Sequence, residues 1–545
     1  MTTTLCTVNI YSRDYSSYKY NIDIDIEPSI YRLFNDDQFI LETKEIVSSP
    51  VRESTNIAGI LVLEGNKTFG RATNGKLLYR CIPDDTSLPI FLIPYEIKNM
   101  NFSKVFSNQY ILFKFSEWTD KHPIGIITET IGSVDNKENF YIYQLHCKKL
   151  WIPINLFKNA TDRALKLYSY ENYIEQIKNK YAIEERMDKV FSIDPLGSLD
   201  FDDAMSIVKL EDGFRLSIYI SNVSIWLDIL DLWEYFSERV STIYMPDKKY
   251  PMLPPILSDN ICSLKSNQKS VAFTMDIYMD RNYNTIDVKY TNTIINLYRN
   301  YCYEEPDLLK DPNYILIKKI CELQKSIPSI NINDSHDLVS YLMITMNHYT
   351  STVLLKYNNG IFRVAKKNTD MEIDDIDITI KNFISIYKST AGEYIDIERN
   401  MTNIKHEMLG LDSYIHMTSP IRRLVDLLNM IQFQENTNML MKSTNNRMMC
   451  FYKKWIKSID KINCMMRRIK RVQSDGMLLH LISTTKEKVY NGYKIDCSTV
   501  YIPDLKTTFY VVLNEEYQLY KMYRFKLYLF KNEDKLKNKI RLSIE

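Results

Sequence analysis

Long hydrophobic runs are absent from this 545-residue chain, and so are the marks of a secreted protein. No apolar run approaches the roughly 20 residues that a membrane-spanning helix needs. The N-terminal residues combine neither a basic start nor an apolar stretch, which argues against a signal peptide. Apolar residues make up 45% and charged residues 25%, as in ordinary globular proteins. The composition therefore predicts a cytoplasmic protein of several domains, with no membrane as a partner.

Cysteine and histidine are scarce, which narrows the kinds of metal site that the chain could hold. Nine cysteines are scattered from Cys6 to Cys497 without a C-x-x-C pair, and only seven histidines are present. This pattern argues against both a disulfide framework and a zinc site. If the protein uses a metal, carboxylates must hold it, and carboxylates favour Mg²⁺ or Mn²⁺.

A large excess of positive charge is also missing, since the formal net charge is only +1. A uniformly basic nucleic-acid-binding coat is thereby excluded, and RNA binding would require local basic clusters. The 40 tyrosines could supply stacking surfaces for bases. The alternative is that they pack in cores and strands, which we expect for the large majority.

What the chain does contain is an orderly succession of strand-like and helix-like segments. Up to about residue 160, short apolar runs between turn residues predict small β-barrels: Ile57–Leu63, Lys76–Ile82, Ile90–Ile93, Tyr110–Phe115 and Ile124–Thr130. A polar helical stretch, Asp162–Met187, then leads into a mixed α/β centre, where Asp337–Lys356 has helical spacing. A basic helical segment follows. The strand pattern returns at the end and predicts an OB-type barrel, with strands at Tyr501–Ile502, Thr508–Leu513, Phe525–Leu529 and Ile540–Ile544.

Four aspartates fall within ten residues of one another, at Asp194, Asp200, Asp202 and Asp203. Pro195 and Gly197 predict a turn after the first of them. Carboxylates this close repel one another unless cations neutralise them, so a divalent metal site is the simplest explanation. Such a site suits phosphodiester hydrolysis, because metals can activate water and stabilise the leaving oxygen. A solvated acidic turn is the alternative, whereas the spacing of a calcium-binding loop is absent.

The segment Asp-Pro-Leu-Gly-Ser-Leu-Asp-Phe-Asp-Asp-Ala resembles the signature of the ribonuclease II (RNB) exoribonuclease family, and its Pro-x-Gly form is similar to the eukaryotic exosome catalytic subunit branch. Further motifs follow in family order: Ser241–Pro246, Pro251–Pro254, Leu257–Leu264 and His416–Arg423. Upstream, Trp118 to Gly132 resembles the second cold-shock domain of that branch. The resemblance covers roughly residues 55–545, and we expect the chain to lack the extra N-terminal endonuclease domain of some exosome subunits.

The resemblance implies a multidomain α+β architecture with two N-terminal cold-shock barrels, a mixed α/β RNB catalytic domain and a C-terminal OB barrel. The predicted divisions are an N-terminal segment 1–50, barrels 51–100 and 101–160, a helical linker 161–187, the RNB domain 188–435, the basic helical segment 436–487 and the C-terminal barrel 488–545. This order agrees with the outline given by the strand and helix patterns.

The resemblance also implies roles for individual residues. The four aspartates occupy positions where the family binds Mg²⁺ and organises the attacking water. Arg422 matches an arginine that contacts the scissile phosphate, a role that suits a permanently charged, planar guanidinium. A surface or salt-bridged arginine is the alternative for Arg422, and the adjacent Arg423 is a weaker candidate.

RNA-binding residues are implied at three further places. Tyr244 matches an aromatic on which the family stacks bases, and Tyr303 aligns with a tyrosine near the terminal nucleotide. The neighbouring Tyr298 and Tyr301 leave that register open, and core packing is the alternative for any single tyrosine here. Arg467 and Arg468, in the basic helical segment, would guide RNA unless this face is simply solvated, with other members at Lys453, Lys454, Lys457, Lys461, Lys470 and Arg471.

The chain departs from the family at several positions. Tyr219-Ile-Ser-Asn222-Val stands where the family usually has His-Ile-Ala-Asp-Val. Ser340-Tyr341 replaces paired glutamates, and Asn429 stands in place of a histidine. We expect these changes to weaken how the 3′-terminal nucleotide is positioned and how the metal ligands are supported.

Two functions are therefore weighed. The first is a Mg²⁺-dependent (or Mn²⁺-dependent) 3′→5′ exoribonuclease that hydrolyses single-stranded RNA to 5′-nucleoside monophosphates, as a monomer or in a larger RNA-processing complex. The second is a catalytically impaired RNB-fold protein that binds RNA or a partner. The altered positions favour the second function. The intact aspartates favour the enzyme, because a site freed from catalysis has no reason to keep four mutually repelling carboxylates.

Overall fold

The computed structural model describes residues 4–96, 106–324, 330–366, 377–388, 392–399, 404–440, 446–485, 489–511, 513–514 and 516–545. The chain forms two compact units. The first unit comprises Met1–Trp151, Met245–Asp247 and Arg468–Glu545, and the second comprises Ile152–Tyr244 and Lys248–Arg467. None of the helices in these described ranges combines the length and apolarity that crossing a membrane requires.

The first unit begins with a small antiparallel sheet in the order β2-β1-β3-β4. Its strands are β1 (Leu5–Ile10), β2 (Tyr18–Tyr20), β3 (Gln38–Ile40) and β4 (Ile46–Ser48). Alternate residues of β1, Cys6, Val8 and Ile10, are buried, as expected of a strand with one face on a core. The other three strands have only three residues each, too few for an alternating pattern to be recognised in the sequence.

A short helix, α1 (Pro50–Glu53), leads into a closed five-stranded barrel in the order β5-β6-β7-β9-β8. The strands are β5 (Ile57–Leu61), β6 (Leu77–Pro83), β7 (Phe91–Tyr95), β8 (Gln109–Glu117) and β9 (Ile124–Ser133). The register Ile57↔Phe113 between β5 and β8 helps to close the barrel. Its narrow interior requires glycine at Gly59 and Gly125, because a Cβ there would lie 2.9 Å or 2.7 Å from the Phe113 ring.

This single barrel over residues 57–133 differs from the predicted barrels 51–100 and 101–160. The predicted division falls between β7 and β8, which belong to one barrel, and residues 97–105 between them lie outside the described part of the chain. Strand and turn signals are local, so they do not reveal which distant strands pair. Trp118, in the predicted second cold-shock motif, packs on Phe34 with ring centroids 4.9 Å apart.

Helices follow the barrel. The side chain of Asn136 caps α2 (Lys137–Cys147) by accepting a hydrogen bond from the Glu138 N–H at 2.7 Å. The second unit opens with α3 (Asn155–Ala164) and α4 (Tyr170–Lys180), followed by the short strand β10 (Ile183–Glu185). The predicted helical linker 161–187 thus contains the end of one helix, all of a second, and a strand.

A six-stranded sheet, in the order β10-β17-β11-β12-β13-β16 with β16 also paired to β17, is the framework of the second unit. After β10 the elements are β11 (Val190–Asp194), β12 (Asp203–Leu210), β13 (Gly213–Ser221), α5 (Val223–Ile229), β14 (Ile243–Tyr244), β15 (Lys249–Tyr250), β16 (Lys269–Asp280) and β17 (Thr285–Cys302). Phe191, Ile218 and Phe273 from three of these strands enter one large buried core.

Helices pack on this core. The next elements are α6 (Pro312–Gln324), α7 (Ser335–Lys356), β18 (Ile361–Val364), α8 (Ile378–Lys388), β19 (Glu393–Asp396), α9 (Leu424–Asn436) and α10 (Asn446–Ile456). The predicted helix Asp337–Lys356 is confirmed as α7, which begins two residues earlier. The Asp334 side chain caps α7 by accepting the Asp337 N–H at 2.8 Å.

The chain ends with α11 (Ile459–Thr484), β20 (Val489–Lys494), β21 (Thr499–Ile502), β22 (Thr507–Tyr510), β23 (Met522–Leu529), α12 (Leu536–Lys539) and β24 (Ile540–Ile544). The strands form a sheet in the order β22-β21-β20-β23-β24, and its edge strands β22 and β24 approach each other, as in a partly open OB-type barrel. Each of the four strands predicted here overlaps one of β21 to β24. Residues 441–445 and 486–487 of the predicted basic segment lie outside the described ranges.

Candidate active site

The four aspartates line one cavity of about 540 Å³ in the second unit. Asp194 ends β11 and Asp203 begins β12, and these strands are neighbours in the sheet. The predicted turn between them is present: Gly197 has a φ of +84°, and the Ser198 N–H donates to the Pro195 carbonyl at 3.1 Å. Asp200 and Asp202 lie on the same loop, so the structure brings all four predicted carboxylates to one place.

Arg422 reaches the cavity from the turn before α9 and is tied to Asp202. Its Nε donates to Asp202 Oδ2 at 3.0 Å and its Nη2 donates to Ser419 Oγ at 3.0 Å. The Ile421 N–H holds the other oxygen, Asp202 Oδ1, at 2.9 Å. Burial raises the pKa of Asp202 to about 7, although the Arg422 charge acts in the opposite direction. The Arg422 side chain remains 46% exposed, so part of its guanidinium is accessible from the cavity.

Asp194 and Asp203 differ from Asp202 because no arginine or lysine bonds to either of them within the described ranges. Burial raises the pKa of Asp194, and nearby Asp202 and Asp200 raise it further. Burial also raises the pKa of Asp203, as does the charge of Asp194. Asp194 Oδ2 is buried and has no hydrogen-bond partner among the described residues. An orphaned carboxylate oxygen beside a second carboxylate is the arrangement that a cation would satisfy.

Asp200 is held by two donors. The Tyr244 hydroxyl donates to Asp200 Oδ2 at 3.2 Å, and the Lys249 ammonium donates to Asp200 Oδ1 at 3.0 Å. Lys249 also donates to Asp259 Oδ1 at 2.9 Å. Neither Lys249 nor Asp259 was predicted as a site residue. Asp259 lies within the Leu257–Leu264 motif, and Lys249 lies between the Ser241–Pro246 and Pro251–Pro254 motifs. The signal that could have identified Lys249 is its place two residues before the Pro251–Pro254 motif.

Tyr303 is the tyrosine that lines the cavity, whereas Tyr298 and Tyr301 both hydrogen-bond to Asp311 outside the cavity lining. The Tyr303 N–H donates to the Asp194 carbonyl at 3.1 Å. Its ring packs against His336, which begins the cavity wall formed by α7, with ring centroids 5.0 Å apart. His336 was not predicted from the sequence. Tyr244 also lines the cavity and is 39% exposed.

The other predicted basic residues differ in their surroundings. Arg423 lines the cavity, but its Nη2 donates to Asp426 at 2.8 Å, and the pair packs at the start of α9. Arg467 and Arg468 lie on α11 and are not among the described residues that line the cavity. Arg467 is exposed, and Arg468 donates a long hydrogen bond, 3.4 Å, to the Lys148 carbonyl.

Two of the residues that depart from the family serve the core of the second unit. The Tyr219 hydroxyl donates to Asp188 Oδ2 at 3.0 Å and contacts Ser206 Oγ at 2.9 Å. Asn222 caps α5, and its Nδ2 donates to Asn292 and Gln434. Both residues are fully buried and neither lines the cavity, so their hydrogen bonds hold the framework rather than a metal ligand.

The remaining departures lie on α7 and α9. Ser340 lines the cavity, whereas Tyr341 turns into the hydrophobic core. No glutamate is among the described cavity-lining residues, so the α7 wall contributes no carboxylate to the cavity. Asn429 Oδ1 accepts the Ile361 N–H at 2.8 Å, and its Nδ2 donates to the carbonyls of Ile361 and His416 at 2.9 Å and 3.0 Å. Asn429 therefore fastens α9 to β18.

The residues present fit a divalent ion only in part. Within the described ranges, no group of three or more His, Cys, Asp or Glu side chains is arranged to hold a metal. Lys249 and Arg422 already bind Asp200 and Asp202. Asp194 and Asp203 remain, and Mg²⁺ commonly binds proteins through one or two carboxylates while keeping several waters.

Metal affinity should rise with pH. Burial raises the pKa values of Asp194 and Asp203 to about 7, so these two carboxyl groups hold protons near neutral pH. A binding cation must displace those protons. Isothermal titration with Mn²⁺ is expected to show an affinity about tenfold higher at pH 8 than at pH 6 for each proton displaced near pH 7.

The same shifts predict a pH dependence of stability. A carboxyl whose pKa is raised in the fold binds more protons folded than unfolded, so without metal the free energy of unfolding falls as pH rises from about 4 to 7. Mn²⁺ should therefore raise the melting temperature more at pH 8 than at pH 6. An equal effect of Mn²⁺ at both pH values would contradict the assignment of these carboxylates as its ligands.

Comparisons with known proteins identify relatives for this site. Residues 183–318 and 309–438 match the RNB domain family, and these ranges contain every residue of the cavity. Ribonuclease R of Ureaplasma parvum is 30% identical over 427 residues, which cover 62% of this chain and 58% of that protein. The chain thus spans little more than half the length of this relative.

Two solved structures share the fold. Mycoplasma genitalium RNase R, determined in complex with ribose-methylated single-stranded RNA, has a TM-score of 0.71 at 15% identity and covers 99% of this chain and 100% of its own. Yeast Ssd1, described as a pseudonuclease, has a TM-score of 0.59 at 14% identity, covering 85% of this chain and 66% of its own. Barrels combined with a mixed α/β domain are therefore confirmed as the architecture. Because a pseudonuclease shares this fold, the residues of the site must decide the activity.

Proposed function

We propose that this chain, whose residues 183–318 and 309–438 match the RNB domain family, is a metal-dependent 3′→5′ exoribonuclease that hydrolyses single-stranded RNA to 5′-nucleoside monophosphates. One observation carries this proposal. A buried carboxylate with an orphaned oxygen, Asp194, shares a cavity with an accessible guanidinium, Arg422. The first can bind a cation and the second can bind a phosphate, which are the two requirements of phosphodiester hydrolysis.

Arg422 is the proposed phosphate-binding residue. Two of its nitrogens are fixed by Asp202 and Ser419, and its Nη1 has no hydrogen-bond partner among the described residues. A guanidinium held in this way needs no reorganisation when negative charge develops on a phosphate oxygen, so it stabilises the transition state more than the ground state. Asp202 is a positioning residue in this scheme because it acts through Arg422.

Asp194 and Asp203 would hold Mg²⁺ or Mn²⁺, whose chemistry at such a site is activation of water and neutralisation of phosphate charge. Backbone hydrogen bonds hold the two residues that carry these carboxylates. The Tyr303 N–H on the Asp194 carbonyl fixes the end of β11, and antiparallel pairing of Asp203 with Ile220 fixes the start of β12. Strand ends held in this way keep the carboxylates in place before substrate arrives.

The aromatic residues would hold the RNA strand. Tyr244 is anchored through its hydroxyl on Asp200 while its ring remains partly exposed, which suits stacking against a base. Tyr303 and His336 form a second aromatic surface in the same cavity, where the terminal nucleotide would lie. Contacts with the ribose 2′-hydroxyl would give the preference for RNA.

The test uses the full-length protein and a single-stranded RNA labelled at either its 5′ or its 3′ end, with Mg²⁺ or Mn²⁺. We expect the 3′-labelled RNA to release a labelled nucleoside monophosphate first, and the 5′-labelled RNA to shorten progressively from its 3′ end. Binding of the RNA without release of mononucleotides in either metal would refute the nuclease and support the second candidate.

That second candidate is a catalytically impaired RNB-fold protein that binds RNA or a partner. The observation that favours it is that the described α7 wall contributes no carboxylate to the cavity, where Ser340 stands instead. We propose the enzyme over this alternative because the altered residues Tyr219, Asn222, Tyr341 and Asn429 lie in the framework and leave the aspartates and Arg422 unaltered. A cytoplasmic location and membership of a larger RNA-processing complex stay predictions.

A further inference from the structure

Lys249 is the least expected member of the site. It lies on the two-residue strand β15 and projects between two carboxylates, with Nζ 3.0 Å from Asp200 Oδ1 and 2.9 Å from Asp259 Oδ1. Its side chain is 24% exposed, so the ammonium is largely sheltered from water. The hydrogen bonds to both carboxylates raise the pKa of Lys249, outweighing the opposite effect of burial. The residue therefore keeps its positive charge.

The two partners are themselves fixed. Asp200 Oδ2 accepts from the Tyr244 hydroxyl at 3.2 Å, and Asp259 Oδ1 also accepts from Ser258 Oγ at 2.6 Å. Asp259 lies in the helical turn Leu257–Ile261, a different part of the chain from the aspartate loop. Lys249 thus joins β15, this turn and the loop. Asp200 and Asp259 lie on separately fixed elements and form a cation-binding site. The ammonium of Lys249 occupies this site.

We propose that Lys249 is a built-in cation of the site: its ammonium occupies, as a permanent part of the protein, the place between Asp200 and Asp259 where a divalent ion would otherwise bind. Arg422 does the same for Asp202. Of the four clustered aspartates, only Asp194 and Asp203 then remain to hold an exchangeable metal. Lys249 is a positioning residue, because it acts by orienting and neutralising Asp200. The inference rests on the proposed function only in treating the aspartate cluster as the metal site.

Counting the metal ions bound in the absence of RNA tests this inference. Mn²⁺ added to the full-length protein is followed by electron paramagnetic resonance, which reports free Mn²⁺ and hence the number of ions bound. Lys249→Met is expected to bind one ion more than the unaltered protein, because Asp200 and Asp259 become available together. In Lys249→Met/Asp259→Asn the additional ion is expected to be lost.

Lys248→Met is the matched control. Lys248 is the neighbouring lysine and is exposed, with its Nζ 5.1 Å from the centre of the Tyr250 ring, so its removal deletes the same charge without freeing a carboxylate. Its ion count should equal that of the unaltered protein. Lys249→Arg should also keep the original count, because guanidinium retains the charge. If Lys249→Met does not fold, Lys249→Gln makes the same test with a polar side chain of similar length.

An activity readout accompanies the ion count. Lys249→Met is expected to lower kcat by about tenfold, while KM for RNA changes by less than about threefold, since loss of a residue that supports a metal site usually costs 10–100-fold. An unchanged ion count in both Lys249→Met and Lys249→Gln overturns the inference, whether or not the protein hydrolyses RNA. Conversely, an additional ion in a protein that degrades no RNA upholds the role of Lys249 and refutes only the proposed function.

Discussion

Replacing Asp202 with asparagine is expected to reduce kcat for hydrolysis of single-stranded RNA by about 10³-fold. The substitution keeps the shape of the side chain, and its amide oxygen can still accept the Ile421 N–H. The amide nitrogen, however, is a donor and would face Arg422 Nε, which is also a donor and now lies 3.0 Å from Asp202 Oδ2. Arg422 would lose both its anchor and the neutralising charge, and the phosphate would lose a correctly aimed guanidinium.

Single-turnover hydrolysis and equilibrium RNA binding, measured on the same variant, separate this effect from unfolding. Binding should stay within about threefold, because Tyr244 and the other aromatic contacts are unaltered. Asp212→Asn is the matched control: this aspartate lies on the turn between β12 and β13 and is 96% exposed. An Asp202→Asn variant that retains more than about a tenth of the activity would show that the cavity has been assigned wrongly.

Asp276→Asn should lower the free energy of unfolding of the second unit by about 3–5 kcal/mol. Asp276 lies on β16 and forms a bidentate pair with Arg186, at 2.7 Å and 2.6 Å, and it also accepts from Ser217 Oγ at 2.6 Å. The side chains of Arg186 and Asp276 are only 4% and 2% exposed, respectively. Neutralising one partner leaves the guanidinium buried without its full counter-charge, which costs far more than the loss of a surface pair.

Urea unfolding followed by tryptophan fluorescence, which reports on Trp226, Trp233 and Trp455 of this unit, measures the change. Arg281→Gln is the control, because its pair with Asp212 is 3.3 Å long and exposed, and a change of less than about 0.5 kcal/mol is expected. The double variant Arg186→Met/Asp276→Leu should recover most of the loss, since apolar side chains of similar volume can replace a buried pair. A full-sized loss in the double variant would mean that packing, rather than charge, explains the effect.

The aspartate loop could be predicted from the sequence because its geometry is local. Pro195 and Gly197 set the turn, and the spacing of the carboxylates along one loop ensures that they meet. Arg422 and Tyr244 were found only through motif resemblance, since neither is near the loop in sequence. Lys249, Asp259 and His336 were missed because their contacts form between segments whose relative placement is set by tertiary packing.

The departures from the family show a second limit of sequence reasoning. The sequence predicts that Tyr219 and Asn222 remove support from the metal ligands. Tyr219 instead bonds the half-buried Asp188, and Asn222 bonds the buried Gln434. Barrel closure was similarly hidden, because the pairing of β8 with β5 and with β9 depends on close approach at Gly59 and Gly125 rather than on strand propensity.

The hydrogen bonds of Asn429 limit which side chains this position can accept. Its amide accepts one backbone hydrogen bond and donates two. A neutral imidazole has one donor and one acceptor, so it cannot reproduce all three bonds. Placing a histidine at this position would leave the carbonyl of Ile361 or of His416 unpaired, at a cost of about 1–3 kcal/mol. Histidine could therefore be accommodated at this position only with compensating changes around α9.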